Sequence, residues 1–424
     1  MHKRKVIDLG EMIVLDRERC VLCSRCVRFG EEVLDGAEFG FTERGDHVQI
    51  TTFDDQPLKY GYAGNYADMC PVGALTSKDF RFKKRVWLLQ GTPSVCTGCS
   101  TGCNIQIDHE GGEVFRFVPR RNEDVNASWI CDDGRLSYKR INSEDRVTVP
   151  MRQHSGALVS STWAEATRIF ADALQTAQQA GQGIAMIASP QATNESLYAF
   201  KALASGVGAA FVDYRADGSH ALTGEREDAV LRRKDHSPNN SGCAAIVGAS
   251  SGDVDAILAA ADAGKIAVLY LLGDELLTQR PDAERVSEAL AKVATVAVHA
   301  EHWNDTLEKA TLVFPAASVA EQDGTYMNYA GRVQRVKRAF FAKGAAQPHG
   351  AVAREAMRQL GLAAPPETAA ATFKLLAETV PAFAGLTWSG LEPRKSSGQD
   401  LSAVISLAGA MQNPLLVSIG GGVR

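Results

Sequence analysis

Eight of the nine cysteines lie within the first 131 residues, and Cys243 stands alone. The stretch "ERCVLCSRCVRFG" places Cys20, Cys23 and Cys26 with two residues between each pair. A ferredoxin run would continue through three residues to Cys-Pro, but Gly30 occupies that position. The next cysteine is Cys70, after 43 intervening residues, and Pro71 follows it in "MCPVGAL". A tight triplet with a remote Cys-Pro suits one [4Fe–4S] cubane, because one loop supplies three corners and a distant residue closes the cage. Zinc sites more often pair their cysteines two and two. The second set is Cys96, Cys99 and Cys103, then Cys131 after 27 further residues. Four thiolates again complete a site. From spacing alone zinc is a fair rival here, and a neighbouring cubane in the same chain weighs towards a second [4Fe–4S] cluster.

A cubane with four thiolates is an anion, so nearby cations favour its reduced state. Arg19, Arg25 and Arg28 flank the first triplet and Arg135 follows Cys131. Each is either a tuning cation or an ordinary surface arginine. "RFKKR" (Arg81 to Arg85) reads as a solvated strand face, with a docking patch as the other reading. Cys243, in "NNSGCAAIVG", has no cysteine or histidine close in sequence and reads as a small buried hydrophobe. "SGVGAA" is only weakly like a phosphate loop, since glycine there could simply end a helix. The histidines form no HExxH spacing, and no Ser/His/Asp arrangement stands out. Two iron–sulfur sites without recognisable substrate chemistry suggest electron transfer.

The chain that must position these groups has 424 residues, 45% hydrophobic and 22% charged, enough for two or three globular domains. A net charge of -5 argues against a dedicated nucleic-acid binder. No apolar run approaches a membrane span, and no hydrophobic signal core follows MHKRKVIDLG. The expected location is the cytoplasm, where disulfides are rare.

Residues 1–82 read as a cysteine-rich cluster domain of short strands and turns, including the strand "HVQITT". Residues 83–150 read as a second, β-rich cluster domain, with "CNIQIDHEGGEVFRFVP" as a hairpin turning at Gly111 and Gly112. From 151 to 362 the texture becomes α/β. The spacing predicts a helix over "STWAEATRIFADALQTAQQAG", capped by Ser161 or Thr162 and stopped at Gly181, and another near "TNESLYAFKALA". The segments "IAMIASP", "KIAVLYLLG", "ATVAVHA" and "ATLVFPA" read as strands, with "DAERVSEALAKV" as a helix between them. Strands alternating with helices imply a mostly parallel sheet. The tail, 363–424, is expected to hold one helix near Pro366 to Val380 and a less regular end.

The motifs "ERCVLCSRCVRF", "CPVGALTSKDFRFKKRVW", "TPSVCTGCSTGCNI" and "WICDDGRLSYKRINSEDR" make residues 10–145 resemble the large iron–sulfur subunit of bacterial NADH–quinone oxidoreductase (respiratory complex I). The resemblance implies that Cys20, Cys23, Cys26 and Cys70 hold a [4Fe–4S] cluster on the electron path. It implies that Cys96, Cys99, Cys103 and Cys131 hold an extra one off that path. The body resembles the molybdopterin oxidoreductase fold through "ASPQATNESLYAFKALA" and "FPAASVAEQDGTYMNYAGRVQRVKRAF", a fold that in this family is a structural relic. With only Cys243 available as a thiol, an empty fold without molybdopterin is expected. The family's N-terminal [2Fe–2S] domain and a further cubane are expected to be missing from this sequence; another chain would supply them, the gene model would be truncated, or electrons would arrive differently. The expected function is therefore an electron-relay and scaffold subunit of a complex I-like NADH:quinone oxidoreductase. Its partners would be a flavin/NADH-binding subunit, a downstream iron–sulfur subunit and a separate [2Fe–2S] chain, on the cytoplasmic face of the inner membrane. The rival readings are the catalytic chain of a molybdopterin-dependent, formate dehydrogenase-like enzyme and a purely structural zinc protein.

Overall fold

A computed structural model describes residues 5–392 apart from 35, 37, 54–55, 60, 215–226, 249–252, 274–275 and 278–281. The body is built on a seven-stranded sheet. Its order is Ala157–Ser160, Met151–His154, Leu312–Pro315, Thr295–Ala300, Ile266–Leu272, Gly183–Ala188 and Phe211–Tyr214. The five strands from Leu312–Pro315 to Phe211–Tyr214 run parallel, and the other two form an antiparallel edge. Side chains alternate across each strand. Ile184, Met186 and Ala188 enter one core and Ala185 and Ile187 the other. The first core is roofed by the helices Trp163–Gln179, Asn194–Gly206, Gly350–Gln359 and Ala369–Thr379, the second by Asp253–Asp262 and Ala283–Ala291. This is the mostly parallel α/β body expected from the alternating pattern, with helices on both faces of the sheet.

Local chemistry places the helix ends. Thr162 Oγ1 accepts the Glu165 amide at 3.2 Å, so Thr162 is the N-cap, and Gly181 at φ 65° ends the turn. The apolar stripe Ala166, Phe170, Leu174 and Ala177 meets the sheet. "SGVGAA" does end a helix, with Gly208 at φ 63° just after Asn194–Gly206. The tail helix forms as Ala369–Thr379, while the end expected to be less regular lies outside the described residues.

The cysteine-rich head is separate from that sheet. Val6–Asp8, Ile13–Asp16 and Leu75–Ser77 form a three-stranded sheet, and Phe39–Thr42 pairs with Gln49–Thr52. Gln90–Val95, Asn104–Glu110 and Glu113–Pro119 form a second antiparallel sheet, with the expected hairpin turning at Gly111 and Gly112, both at positive φ. The two halves share one core, in which Phe29 and Tyr66 from the first pack with Ile105, Ile130 and Tyr138 from the second. "RFKKR" is not a strand: it is a turn, with Phe82 at φ 64°, leading into the short helix Val86–Leu88.

Candidate functional site

The first site is assembled from two segments of the head. Asp16 caps the turn Arg17–Arg19 by accepting the Glu18 amide at 3.1 Å, and Cys20 follows at once. Leu22 (φ 52°) and Ser24 (φ 61°) adopt the left-handed region and curl the loop around. Cys26 then falls in the first turn of the helix Arg25–Glu32. Cys70 comes from the other segment. It ends the helix Asn65–Met69, after which Gly73 (φ 63°) turns the chain back so that the Leu75 amide donates to Cys70 Sγ at 3.4 Å. Cys20, Cys23, Cys26 and Cys70 line one cavity with Leu15, Ile50, Met69 and Leu75. Its volume is about 380 Å³, counting the space open to solvent. Burial pushes the Cys26 thiol up to about 11 against the pull of the Val27 amide, and Cys20 and Cys23 push the same way.

The second site is deeper. Cys96 ends the strand Gln90–Val95 and donates its amide to the Cys103 carbonyl at 2.8 Å, closing a loop in which Gly102 (φ 64°) makes the turn. Cys131 caps the short helix Asp132–Leu136, its Sγ accepting the Gly134 amide at 3.3 Å. The Gly98 amide donates to Cys96 Sγ at 3.4 Å. Burial lifts Cys131 to about 12, with Cys99 adding to it. Cys103 is lifted well above the ordinary thiol range by burial, then by Cys96, Cys99 and Cys131. Cys96, Cys99, Cys103 and Cys131 thus lie within electrostatic reach of one another. The sulfurs also leave no room for more carbon: a Cβ on Gly134 would stand 2.9 Å from Cys96 Sγ and 3.4 Å from Cys131 Sγ.

These surroundings fit an iron–sulfur group. Buried, crowded thiols resist ionising, and only a bound cationic centre makes four thiolates tolerable together. The amides aimed at Cys70, Cys96 and Cys131 offset part of that negative charge. Among the described residues no three His, Cys, Asp or Glu side chains gather around a single metal-ion position.

The two sites are tied together by residues that no motif singled out. Asp132, next to Cys131, accepts the amides of Gly61, Ala63 and Gly64, each at 2.8 Å. Asn65 donates to the Ile130 carbonyl at 2.8 Å and accepts the Ile130 amide at 3.1 Å. Arg135, one of the candidate tuning cations, is buried in this bridge, donating to Asp68 at 2.5 Å and to Asn65 at 3.3 Å. Among the others, Arg19 pairs with Asp16 at 3.2 Å, while Arg25 and Arg28 are exposed beside the first loop. The cation facing the second site is instead Arg232, from the body. It lies over the Tyr62 ring at 5.4 Å and 3.5 Å from Asp133, and it pulls the Cys131 pKa down.

The body also grips the second loop. The Ser100 amide donates to the Asp235 carbonyl at 2.8 Å and Thr101 Oγ1 to the Leu231 carbonyl at 2.6 Å. Gln334 Nε2 donates to the Gly102 carbonyl at 2.9 Å and Asn328 Nδ2 to the Thr101 carbonyl at 3.2 Å. Cys243 is fully buried in the helix Asn240–Ile246, packed in the body's core. Among the described residues no helix is long and apolar enough to cross a membrane.

Comparison with known proteins adds three family matches. The ferredoxin-like domain of NADH-quinone oxidoreductase subunit 3 matches residues 10–76, and the 4Fe-4S domain of NADH-ubiquinone oxidoreductase NDSU1/NuoG-like proteins matches 89–139. Molybdopterin oxidoreductase matches 146–249 and 236–357. An NADH-quinone oxidoreductase subunit of Rickettsia felis is 36% identical over 209 residues, 49% of this chain and 31% of that protein. NADH-quinone oxidoreductase subunit 3 of Thermus thermophilus is 39% identical over 194 residues, 46% of this chain and 24% of that protein. The aligned stretch thus spans less than a third of those relatives' own length. Among solved structures, acetylene hydratase from Pelobacter acetylenicus is similar at TM-score 0.48 and 10% identity, over 70% of this chain and 73% of that one, a level that carries no functional argument. Both cluster domains and the body are matched in order along the sequence: the chain joins iron–sulfur domains of the NADH–quinone oxidoreductase subunit 3 and NuoG-like types to a molybdopterin oxidoreductase body.

Proposed function

We propose that the chain is an electron-relay and scaffold subunit of a complex I-like NADH:quinone oxidoreductase. Residues 1–82 would be the first cluster unit, 83–150 the second and 151–362 the scaffold, with 363–424 following as a tail whose helix Ala369–Thr379 packs onto the scaffold's core. Cys20, Cys23, Cys26 and Cys70 would hold one [4Fe–4S] cluster, and Cys96, Cys99, Cys103 and Cys131 another. The observation that carries this reading is the convergence of Cys70 with the Cys20–Cys26 loop on a single apolar cavity. A bound cluster supplies one-electron redox with little structural change. The chain's residues do the rest. Leu15, Ile50 and Leu75 keep water from the first site, and the Leu75, Gly98 and Gly134 amides steady the charge on three sulfurs. Asp132 fixes the approach to Cys70 against Cys131.

The body serves as a support for the second loop and carries no molybdopterin in this reading, since its single cysteine is packed into the core. The names of the relatives favour this reading over a formate dehydrogenase-like catalytic chain. Its partners would be a flavin/NADH-binding chain, a downstream iron–sulfur subunit and a [2Fe–2S] chain, on the cytoplasmic face of the inner membrane. Cys23→Ser in the assembled complex is expected to remove the first cluster's EPR signal and NADH-to-quinone turnover together. Unchanged turnover in a correctly assembled complex would overturn the assignment.

A further inference from the structure

We propose that the mouth of the first cysteine site is a docking surface for an acidic one-electron carrier protein, seated on Val21, Leu22 and Val72 and held by Arg25 and Arg28. The proposal rests on reading Cys20, Cys23, Cys26 and Cys70 as cluster ligands, and it adds the surface through which an electron reaches them.

The first observation is exposure. Of the nine cysteines, Cys23 alone is exposed; the rest are buried or half-buried. Val21 (60% exposed), Leu22 (39%) and Val72 (39%) surround it, and Val21, Cys23 and Val72 line the same cavity. Exposed aliphatic side chains gathered at the mouth of a cavity are the usual centre of an interface. The second observation is strain. Leu22 is held at φ 52°, a conformation that strains a bulky L-residue, and strain of this kind concentrates at ligand sites and switches.

The third observation is charge. Arg25 and Arg28 lie one turn apart on the helix Arg25–Glu32, both exposed, and among the described residues neither has an acidic partner. Among the acids nearby, Asp16 is held by Arg19 at 3.2 Å and Glu18 by Lys5 at 2.7 Å; Glu31 and Glu32 follow Arg28 by one turn on the same helix, and of these four helix charges only Arg25 lines the cavity. An apolar centre with a cationic rim selects a partner whose own redox centre is ringed by carboxylates, because complementary potentials steer encounter and fix register. In the step itself one electron leaves the carrier's reduced centre and enters the first site. The carrier is oxidised by one electron, the chain is reduced by one, no bond forms or breaks, and no proton moves.

The test uses the cluster-loaded chain, prepared anaerobically and oxidised, mixed in a stopped-flow cell with reduced plant-type ferredoxin, an acidic carrier. Bleaching of the cluster is followed across a salt series. The R25E/R28E double variant is expected to slow the second-order rate at low salt by about tenfold or more and to lose the wild-type decline with salt. R25Q/R28Q should fall between the two. R81E/R85E, at a different basic surface, should match wild type. Low-temperature EPR counts the clusters in each sample, so a folding defect is visible. Equal rates and salt slopes in wild type and R25E/R28E, with clusters intact, would overturn the proposal. So would a homodimer that R25E/R28E dissociates without changing the ferredoxin rate. No [4Fe–4S] signal in the wild type would instead overturn the underlying reading of the cysteines.

Discussion

Asp132→Ala is expected to loosen the segment that delivers Cys70 without touching a cysteine. The Asp132 carboxylate is buried and accepts three amides, from Gly61, Ala63 and Gly64, each at 2.8 Å. Alanine leaves all three donors without an acceptor. A buried donor stripped of its partner costs about 1–3 kcal/mol. Part of the total is returned, because burial works against the charged carboxylate and lifts its pKa. The low end is therefore the fair figure, about 1 kcal/mol per amide or about 3 kcal/mol together. Expressed as local opening, about 3 kcal/mol corresponds to roughly 140-fold faster exchange of those amides. Hydrogen–deuterium exchange by mass spectrometry on the cluster-loaded chain measures this directly in a peptide spanning residues 61–69. The helix Ala369–Thr379, far from the bridge, should exchange as in wild type. Asp132→Asn keeps one acceptor oxygen and should lose less. Exchange of the 61–69 peptide within twofold of wild type in Asp132→Ala would refute the reasoning.

Other consequences can be checked independently. Gly134→Ala drives a Cβ to 2.9 Å from Cys96 Sγ, so iron and acid-labile sulfide should fall from about eight each per chain to about four, with the first cluster's EPR signal retained. Glu321→Ala strands Arg146, its partner at 2.6 Å in a fully buried pair, and should destabilise the body by about 3–5 kcal/mol in denaturant unfolding. Burial raises Glu195 to about 7 despite its hydrogen bonds with Thr325. Its folded pKa lies above the unfolded one, so the stability it contributes is full below about 4.5 and is lost as pH rises through about 7. Thermal midpoints measured from pH 5 to pH 8 should therefore fall more steeply in wild type than in Glu195→Gln.

The sequence pattern is most informative where chemistry is local. Cysteine spacing separates the two sets of four because a metal loop needs its ligands within a few residues, and an unbroken apolar run marks strands such as Ile266–Leu272 because both faces of the sheet are buried. What escapes the sequence depends on contacts between distant segments. Asp132 sits 68 to 71 residues from the amides it binds, so nothing near it announces an acceptor. Arg232 is anchored by its own amide, which donates to the Tyr62 hydroxyl 170 residues away. Arg135 reads as a free cation after Cys131, but Asp68, two residues before Cys70, takes it into the bridge. "RFKKR" reads as a strand because its charge pattern mimics a solvated strand face. In the fold Asp79 and Glu110 hold Lys83 and Lys84, Phe82 takes a left-handed turn, and Phe82 and Trp87 are left exposed.

The central claim is that two independent four-cysteine sites each hold a [4Fe–4S] cluster. Anaerobic purification with iron, zinc and sulfide analysis and low-temperature EPR, on wild type, Cys70→Ser and Cys131→Ser, tests it most directly. The expected result is about eight irons and eight sulfides per wild-type chain, with each variant losing one EPR signal and keeping the other. A colourless chain that contains zinc and no acid-labile sulfide, or a Cys70→Ser variant that keeps both signals, would contradict it.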